Sequence, residues 1–223
     1  MRILLAMLNA VCLAVLLLAL SIQTPAFGMW FYRWQFERNN THAVIGIDEE
    51  GLEYVARRVV DFIRGRDDDL RDVRAVVRGE ERLFFNELEA MHMDDVRVLF
   101  DYGLLGRNVA AAGFAVTLIL LLIMKKFSWM LKIWRNMAVN ALGLIAVLGI
   151  LFAINFNRAF TIFHEIFFVD NWSFDPRTNL MVNMLPTAFW QNATAFLIGM
   201  YVALLVLIIV VTSILRRIMP KNG

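Results

Sequence analysis

The chain has 223 residues, 60% of them apolar, a mean hydropathy of +0.61 and a net charge of +2. Soluble domains average about 45–50% apolar, so this excess, with 18 Phe and 6 Trp, excludes a disordered chain and argues against a soluble globule. The single cysteine, Cys12, excludes an intramolecular disulfide, a cysteine zinc site and an iron–sulfur cluster, and so small a net charge gives no reason to expect nucleic acid.

The first element is an uncharged run, Ile3–Ile22. About 20 apolar residues are enough for a helix to cross a bilayer. The run exceeds the 7–15 residues of a usual signal-peptide core, so a retained transmembrane helix is expected over 1–22. The aromatic stretch Met29–Phe36 suits a membrane–water interface. His42–Ile47 alternates weakly, which predicts a short strand. Asp48 is a helix N-cap signal, with Glu49 and Glu50 in the first turn and Leu52, Val55, Val59, Phe62 and Ile63 at helical spacing. The run Asp67–Asp69 lacks the spaced ligands and central glycine of a calcium loop and reads as a solvated turn. Asp72–Phe85, with Arg78-Gly79-Glu80 at its middle, predicts a hairpin.

A second helix is expected after Asn86, where Glu89 completes a capping box. Phe85, Leu88, Val96 and Leu99 mark its apolar face, and His92 falls on that face, flanked by Glu89 and Asp95. The helix is expected to end at Asp101-Tyr102-Gly103, where the second apolar run, Leu104–Met124, begins with a single charge at Arg107. Two further runs, Met137–Phe156 and Ala193–Leu215, carry no charge. Between them lies an aromatic loop. Its first part, Asn157–Phe168, predicts an interfacial helix with Phe160, Phe163, His164, Phe167 and Phe168 on one face, followed by Glu165, Trp172 and a helix-start signal at Asp175-Pro176.

These runs predict an all-α membrane protein of four transmembrane helices, with a mostly helical extracytoplasmic domain formed by the first and third loops. The loops are 23–103, 125–136 and 157–192, and the tail is 216–223. Charge sets the orientation. Arg2, Lys125, Lys126, Lys132, Arg135, Arg216, Arg217 and Lys221 lie on one side with no acid among them. The positive-inside rule places that side, and both termini, in the cytoplasm. No carboxylate or histidine sits at mid-membrane depth, which disfavours a pump or channel. Arg107 is expected to snorkel to the outer rim.

Three histidines are present. His42 sits in a polar segment and reads as incidental. His92 and His164 each lie on an apolar face, in different outer loops. Two imidazoles at one interface suit general acid and general base roles near neutral pH. Metal binding is the competing chemistry: His164-Glu165 begins like a zinc-protease helix, but position 168 is Phe where that motif has its second His. Nucleophilic catalysis has little support, since Cys12 lies inside a span and Ser173 lacks the flanking glycines of a nucleophile elbow.

The stretch Glu87-Leu-Glu-Ala-Met-His92-Met93-Asp94-Asp95-Val96, with a span after it, resembles an element of the Lit family, the bacterial lipoprotein intramolecular transacylases. The stretch Phe163-His164-Glu165-Ile-Phe167-Phe168-Val-Asp-Asn-Trp172-Ser-Phe-Asp175-Pro176, with Asn179-Leu180, Pro186 and Phe189-Trp190, resembles that family's second element. Position 179 is Asn where Asp is expected of the family. The resemblance implies transfer of the sn-2 acyl chain of a diacylglyceryl-cysteine to that cysteine's own α-amine. It implies His92 and His164 as catalytic, with Glu89, Asp95, Glu165, Arg107 and Trp172 as residues that bind or orient substrate. No cofactor or metal is expected. The expected partners are the N-terminus of a diacylated lipoprotein and membrane lipid, with the protein a monomer in the bacterial cytoplasmic membrane and its site on the outer face. Two other classes are a metal-dependent membrane hydrolase, which needs the histidines as ligands, and a non-catalytic sensor or assembly protein, which does not need them.

Overall fold

A computed structural model of the chain describes residues 2–168 and 172–218. Asp170 of the second motif and Lys221 of the basic set lie outside the described residues. In chain order the elements are α1 (Arg2–Phe27), α2 (Met29–Arg38), α3 (Thr41–Ile45), α4 (Glu49–Ile63), β1 (Arg74–Val77), β2 (Glu80–Leu83), α5 (Glu87–Ile123), α6 (Phe127–Ile154), α7 (Phe156–Phe167), α8 (Leu180–Met184) and α9 (Thr187–Ile218). Four of these, α1, α5, α6 and α9, are long and apolar enough to cross a membrane. The expected fold class is therefore observed, with one two-stranded sheet added.

Two units make up the chain. The first contains Met1–Ile22, Gly103–Ile154 and Phe196–Gly223, the membrane helices. Its apolar side chains face outward in large numbers, with Leu4, Ile123 and Ile154 among them. That is the pattern for helices solvated by lipid, where packing and interhelical hydrogen bonds hold the bundle. Asn9 on α1 is fully buried and ties three helices together. Its amide nitrogen donates to Thr117 Oγ1 at 2.8 Å and to the Phe114 carbonyl at 3.0 Å, both on α5. Its carbonyl accepts from Trp134 Nε1 on α6 at 2.8 Å. Close approach of α1 to α5 depends on Gly113, where a Cβ would stand 3.1 Å from Cys12 Sγ. Ala6, Leu121 and Met130 form one small core, and Ala138, Tyr201 and Leu205 another.

The second unit contains Gln23–Tyr102 and Asn155–Ala195. The aromatic stretch after α1 folds as α2, burying Phe31, Tyr32, Gln35 and Phe36. The strand expected at His42–Ile47 is instead the short helix α3. Asn40 and Gly46 at its two ends both adopt left-handed backbone, and the His42 carbonyl accepts from the N–H groups of Gly46 and Ile47, so the segment closes on itself as a helical turn. Asp48 caps α4, accepting from the Gly51 N–H at 2.7 Å, and the expected apolar face of α4 is buried. The hairpin forms, turning at Arg78 and Gly79, both with positive φ. Such a pair is what a two-residue type I′ turn requires.

The acidic run is bound by arginines. Arg58 pairs with Asp67 and, at 2.7 Å, with Asp72. Arg71 reaches Asp69, Glu87 and Asp94 at 2.8–3.1 Å and so fastens the loop before β1 to the first turns of α5. Asp175-Pro176 does not start a helix. The Asp175 side chain accepts from the Arg177 N–H, and its carbonyl accepts from Thr178 and Asn179 N–H. These bonds make a turn, and α8 begins only at Leu180.

Replacing Asn9 by Leu leaves Trp134 Nε1–H and Thr117 with lost partners inside the bundle. Asn9→Leu is expected to lower the stability of the purified protein by about 1–2 kcal/mol. A fluorescence melt in detergent reads this through Trp134, and an unchanged midpoint would show that the asparagine does not pin the three helices.

Candidate active site

The site begins at the N-terminus of α5. The Asn86 side chain accepts from the Glu89 N–H at 3.0 Å, and Glu89 Oε2 accepts from the Asn86 N–H at 2.9 Å. This is the reciprocal capping box expected from the sequence. Unlike an ordinary surface box, its glutamate is fully buried. The other oxygen, Oε1, accepts from the Met181 N–H at 2.9 Å. One carboxylate thus caps α5 and holds the first turn of α8. Burial pushes its pKa up, against the two main-chain donors that favour the charged form.

A second clamp lies alongside. Asn86 Nδ2 donates to Asn179 Oδ1 at 2.6 Å, and Asn179 Nδ2 donates back to the Asp175 carbonyl at 2.9 Å. Asn183 Nδ2 closes the turn on the Pro176 carbonyl at 2.6 Å. The segment 175–184 is therefore fixed to the start of α5.

One turn after Glu89, His92 comes to face His164. Both are 7% exposed, and their rings are nearly parallel, 19° apart, with centroids separated by 6.0 Å. The rings sit in an aromatic cage. Phe168 lies 4.8 Å from His92 and 5.3 Å from His164, and Phe174 lies 5.5 Å from His92. Phe160 and Trp172 lie 4.2 and 5.2 Å from His164.

The two imidazoles differ in their hydrogen bonding. His164 Nδ1 stands 2.8 Å from the Phe160 carbonyl. A carbonyl only accepts, so Nδ1 carries the proton and Nε2 keeps its lone pair in the neutral ring. His92 Nδ1 is buried and has no hydrogen-bond partner among the described residues. Burial lowers both pKa values. His92 is pushed down to about 4, with the charge of a protonated His164 as the lesser cause. His164 is also lowered by burial, in part offset by the Phe160 carbonyl. Both rings are neutral at pH 7.

The other expected site residues separate into two groups. Glu89 and Trp172 are at the site. Asp95 and Glu165 are exposed, so the flanking acids do not frame His92 as expected. Arg107 belongs to the membrane unit and donates to Asn108 Oδ1 at 2.9 Å. Leu88, expected on the buried face, is 53% exposed, because the capping box turns Glu89 inward and sets the helix phase. Phe163 and Phe167, grouped with His164 by periodicity, are exposed, though the Phe163 ring still lies 5.5 Å from His164. Phe174 and the Asn86–Asn179 clamp are not marked by spacing or periodicity, though Phe174 and Asn179 fall in the stretch that resembles the family's second element. Among the described residues no group of three His, Cys, Asp or Glu is placed to hold a metal ion.

Comparison with known proteins bears on this arrangement. The model of the family described as lipoprotein intramolecular transacylase Lit matches residues 7–190. The chain is similar to the in meso structure of the membrane-integral transacylase Lit from Bacillus cereus, at TM-score 0.82 and 19% identity over 97% of this chain and 96% of that one. Two structures of that protein with one histidine replaced, by arginine and by alanine, are similar at TM-score 0.77 and 18% identity, each over 97% of this chain and covering 92% and 94% of theirs. No curated protein matches the chain.

Two measurements check the site's construction. Glu89→Gln puts an N–H donor against a main-chain donor and is expected to cost about 1.5–3 kcal/mol of stability. Asp95→Asn and Glu165→Gln, at exposed positions, should stay within about 0.5 kcal/mol. The lowered pKa of His92 adds stability that is fully present above its ordinary value of 6.5 and is lost as pH falls toward about 4. Over that window His92→Gln should melt with a weaker pH dependence than the unsubstituted chain, and equal slopes would contradict the buried neutral imidazole.

Proposed function

The chain belongs to the Lit family of lipoprotein intramolecular transacylases, a family of membrane-integral acyltransferases, and we propose that it moves the sn-2 acyl chain of a diacylglyceryl-cysteine to the cysteine's own α-amine, with His164 as general base and His92 as a hydrogen-bond donor. The observation that carries this reading is the pair of neutral, stacked imidazoles, one with its tautomer fixed by a main-chain carbonyl and the other with a buried nitrogen that has no partner among the described residues.

His164 Nε2, the ring's lone-pair nitrogen, takes a proton from the α-ammonium. The freed amine attacks the sn-2 ester carbonyl carbon, forming the C–N bond of a tetrahedral adduct. The adduct collapses by breaking its bond to the sn-2 oxygen, which takes back the proton carried on His164 and leaves as the glycerol hydroxyl. The nitrogen's remaining excess proton passes to the His164 Nε2 so freed, which releases it to solvent as the amide forms. His92, neutral and nearby, donates a hydrogen bond to the oxygen on which charge develops. Its unpaired nitrogen supports this role: a buried polar atom without a partner costs about 1–3 kcal/mol, a cost relieved when substrate supplies the partner.

Donor and acceptor lie on one molecule, so the protein holds no acyl group covalently. Its task is to bring amine and ester together, where orientation contributes most. Both imidazoles come from one chain, so a monomer suffices. The substrate is the N-terminus of a diacylated lipoprotein in the cytoplasmic membrane of a bacterium. The basic side of the chain faces the cytoplasm and the imidazoles face outward, where membrane lipid surrounds the spans.

His92→Ala and His164→Ala are each expected to reduce turnover by about 10²-fold or more, while His42→Ala changes little. The N-terminal lipopeptide of a co-expressed diacylated lipoprotein should keep its mass, with fragmentation placing one acyl chain on the α-amine. A gain of one chain would indicate an intermolecular donor, and a loss would indicate hydrolysis. Activity abolished by chelator would favour the metal-dependent hydrolase instead.

Orientation is checked by labelling in a Cys12→Ser background. A cysteine at Asp68 should react with impermeant reagent in intact cells and one at Lys125 should not; the reverse pattern would overturn the topology.

A further inference from the structure

The hairpin has an open edge that leads into a cavity, and the reaction proposed above does not use either. The register pairs Arg74 with Leu83, Ala75 with Arg82, Val76 with Glu81 and Val77 with Glu80. The Phe84 N–H donates to the Val73 carbonyl at 2.8 Å, one step beyond this ladder. Antiparallel pairs alternate between bonded and non-bonded. Arg82 and Glu80 therefore spend their main-chain groups on β1, and Glu81 and Leu83 direct theirs to the other edge of β2. All four residues of β2 are exposed, whereas Ala75 and Val77 of β1 are buried. The open edge continues into a cavity of about 300 Å³ lined by Arg82, Leu83, Phe84, Phe85, Asn86, Glu89, Thr178 and Leu180. Glu89, one of these lining residues, is fully buried.

We propose that this edge and cavity bind the extended polypeptide of the substrate, downstream of its acylated cysteine, by addition of a third strand to β2. The inference rests on the family's lipoprotein reaction as read above. The edge itself selects the occupant. Alternate outward N–H and C=O groups at Glu81 and Leu83 match an extended main chain and no lipid or small solute offers that repeat. The cavity is the second half of the match. Its lining sets the polar side chains of Arg82, Asn86 and Thr178 beside Phe84 and Phe85, which suits a polar side chain with an apolar stem. Binding through main chain also fits a substrate class whose members share a lipidated cysteine and differ in the residues after it.

The chain path fixes the reach required. His92 lies six residues past Asn86 on α5, about 9 Å at the helical rise, and the three steps from Leu83 to Asn86 add at most about 10 Å. A peptide with its cysteine at His92 therefore meets Leu83 within about six extended residues. A dipeptide has one residue beyond its cysteine and cannot bond both Glu81 and Leu83, whereas a peptide of about twelve residues covers the edge.

The test measures binding to the full-length chain in nanodiscs, using fluorescent diacylglyceryl-cysteine peptides of two lengths, a dipeptide and a peptide of about twelve residues, with the same lipid. The long peptide is expected to bind at least about 5-fold more tightly. Glu81→Pro removes an outward N–H while leaving every hairpin bond in place, since Pro is tolerated on edge strands. It should weaken the long peptide by about 5-fold, the size of one hydrogen bond, and leave the dipeptide unchanged. Glu81→Ala should leave both unchanged. With the unsubstituted protein, N-methylation of alternate residues of the long peptide should weaken binding in one phase of the alternation and not in the other, which keeps the test independent of how Glu81→Pro folds. Equal affinities for the two lengths, or equal losses in both methylation phases, would overturn the proposal. Binding is read apart from turnover, so absent acyl migration would count against the reaction while the length comparison still decided the docking edge.

Discussion

A single buried carboxylate organises the loop unit. Glu89 takes N–H groups from Asn86, at the start of its own helix, and from Met181, 92 residues later. Burying a carboxylate without partners is prohibitive, so the chain must bring both donors to it. This obligation fixes two things together: the rotational phase of α5, which turns His92 inward, and the position of the segment carrying Phe174 against His92. The Asn86–Asn179 bond repeats the connection beside it. With the two segments fixed in this way, Trp172, Phe174 and Phe168 close around the imidazoles. Removing the carboxylate's charge, or its shape, loosens the cage from its base.

Much of the architecture is legible in the sequence because it depends on patterns that a linear chain displays. Uncharged runs mark the spans, and Asn86 with Glu89 marks a helix start. Arg78-Gly79 marks a turn. The second partner of Glu89 is not on display in this way. Local rules make that residue a surface cap, and periodicity assigns the buried position to Leu88. The structure inverts the two, since a distant main-chain donor converts a surface acid into a buried one. The same limit explains Asp95 and Glu165. Each is close to a histidine in sequence, but Glu165, the immediate neighbour of His164, points about 100° away from it on the helix. His42–Ile47 shows the limit at short range. Its alternation suggests a strand, but left-handed residues at Asn40 and Gly46 close it as a turn of helix.

The membrane unit is held by a different balance. Water is absent from a bilayer core, so apolar contact alone gives helices little preference for each other over lipid. The Asn9 amide, with three bonds to α5 and α6, supplies what apolar contact does not. Gly113 allows α1 and α5 to come close enough for those bonds to form. In both units, then, one buried polar group that must be satisfied sets which helices meet. Apolar surface supplies the bulk of the contact without selecting a register.

The aromatic cage acts on the chemistry in two opposing ways. By excluding water it keeps His92 and His164 neutral, so His164 holds its lone pair and His92 its N–H at pH 7. By the same exclusion it makes the protonated state of His164 costly, and that state is the one a general base must pass through. The Phe160 carbonyl offsets part of this cost, because its partial negative charge stabilises an imidazolium formed at the same ring. Among the described residues His92 Nδ1 has no such carbonyl, and the pKa of His92 is pushed down to about 4. One ring can therefore accept a proton and return it, while the other stays neutral and donates. On the proposed reaction this difference assigns the roles. Exclusion of water serves a further end there, because water is the competing nucleophile for the ester. An amine tethered to its own ester has an effective concentration of about 10⁵ M or more when well oriented, far above that of any water the cage admits. The cage need not be sealed for aminolysis to outrun hydrolysis; it need only hold the two ends of one molecule in line.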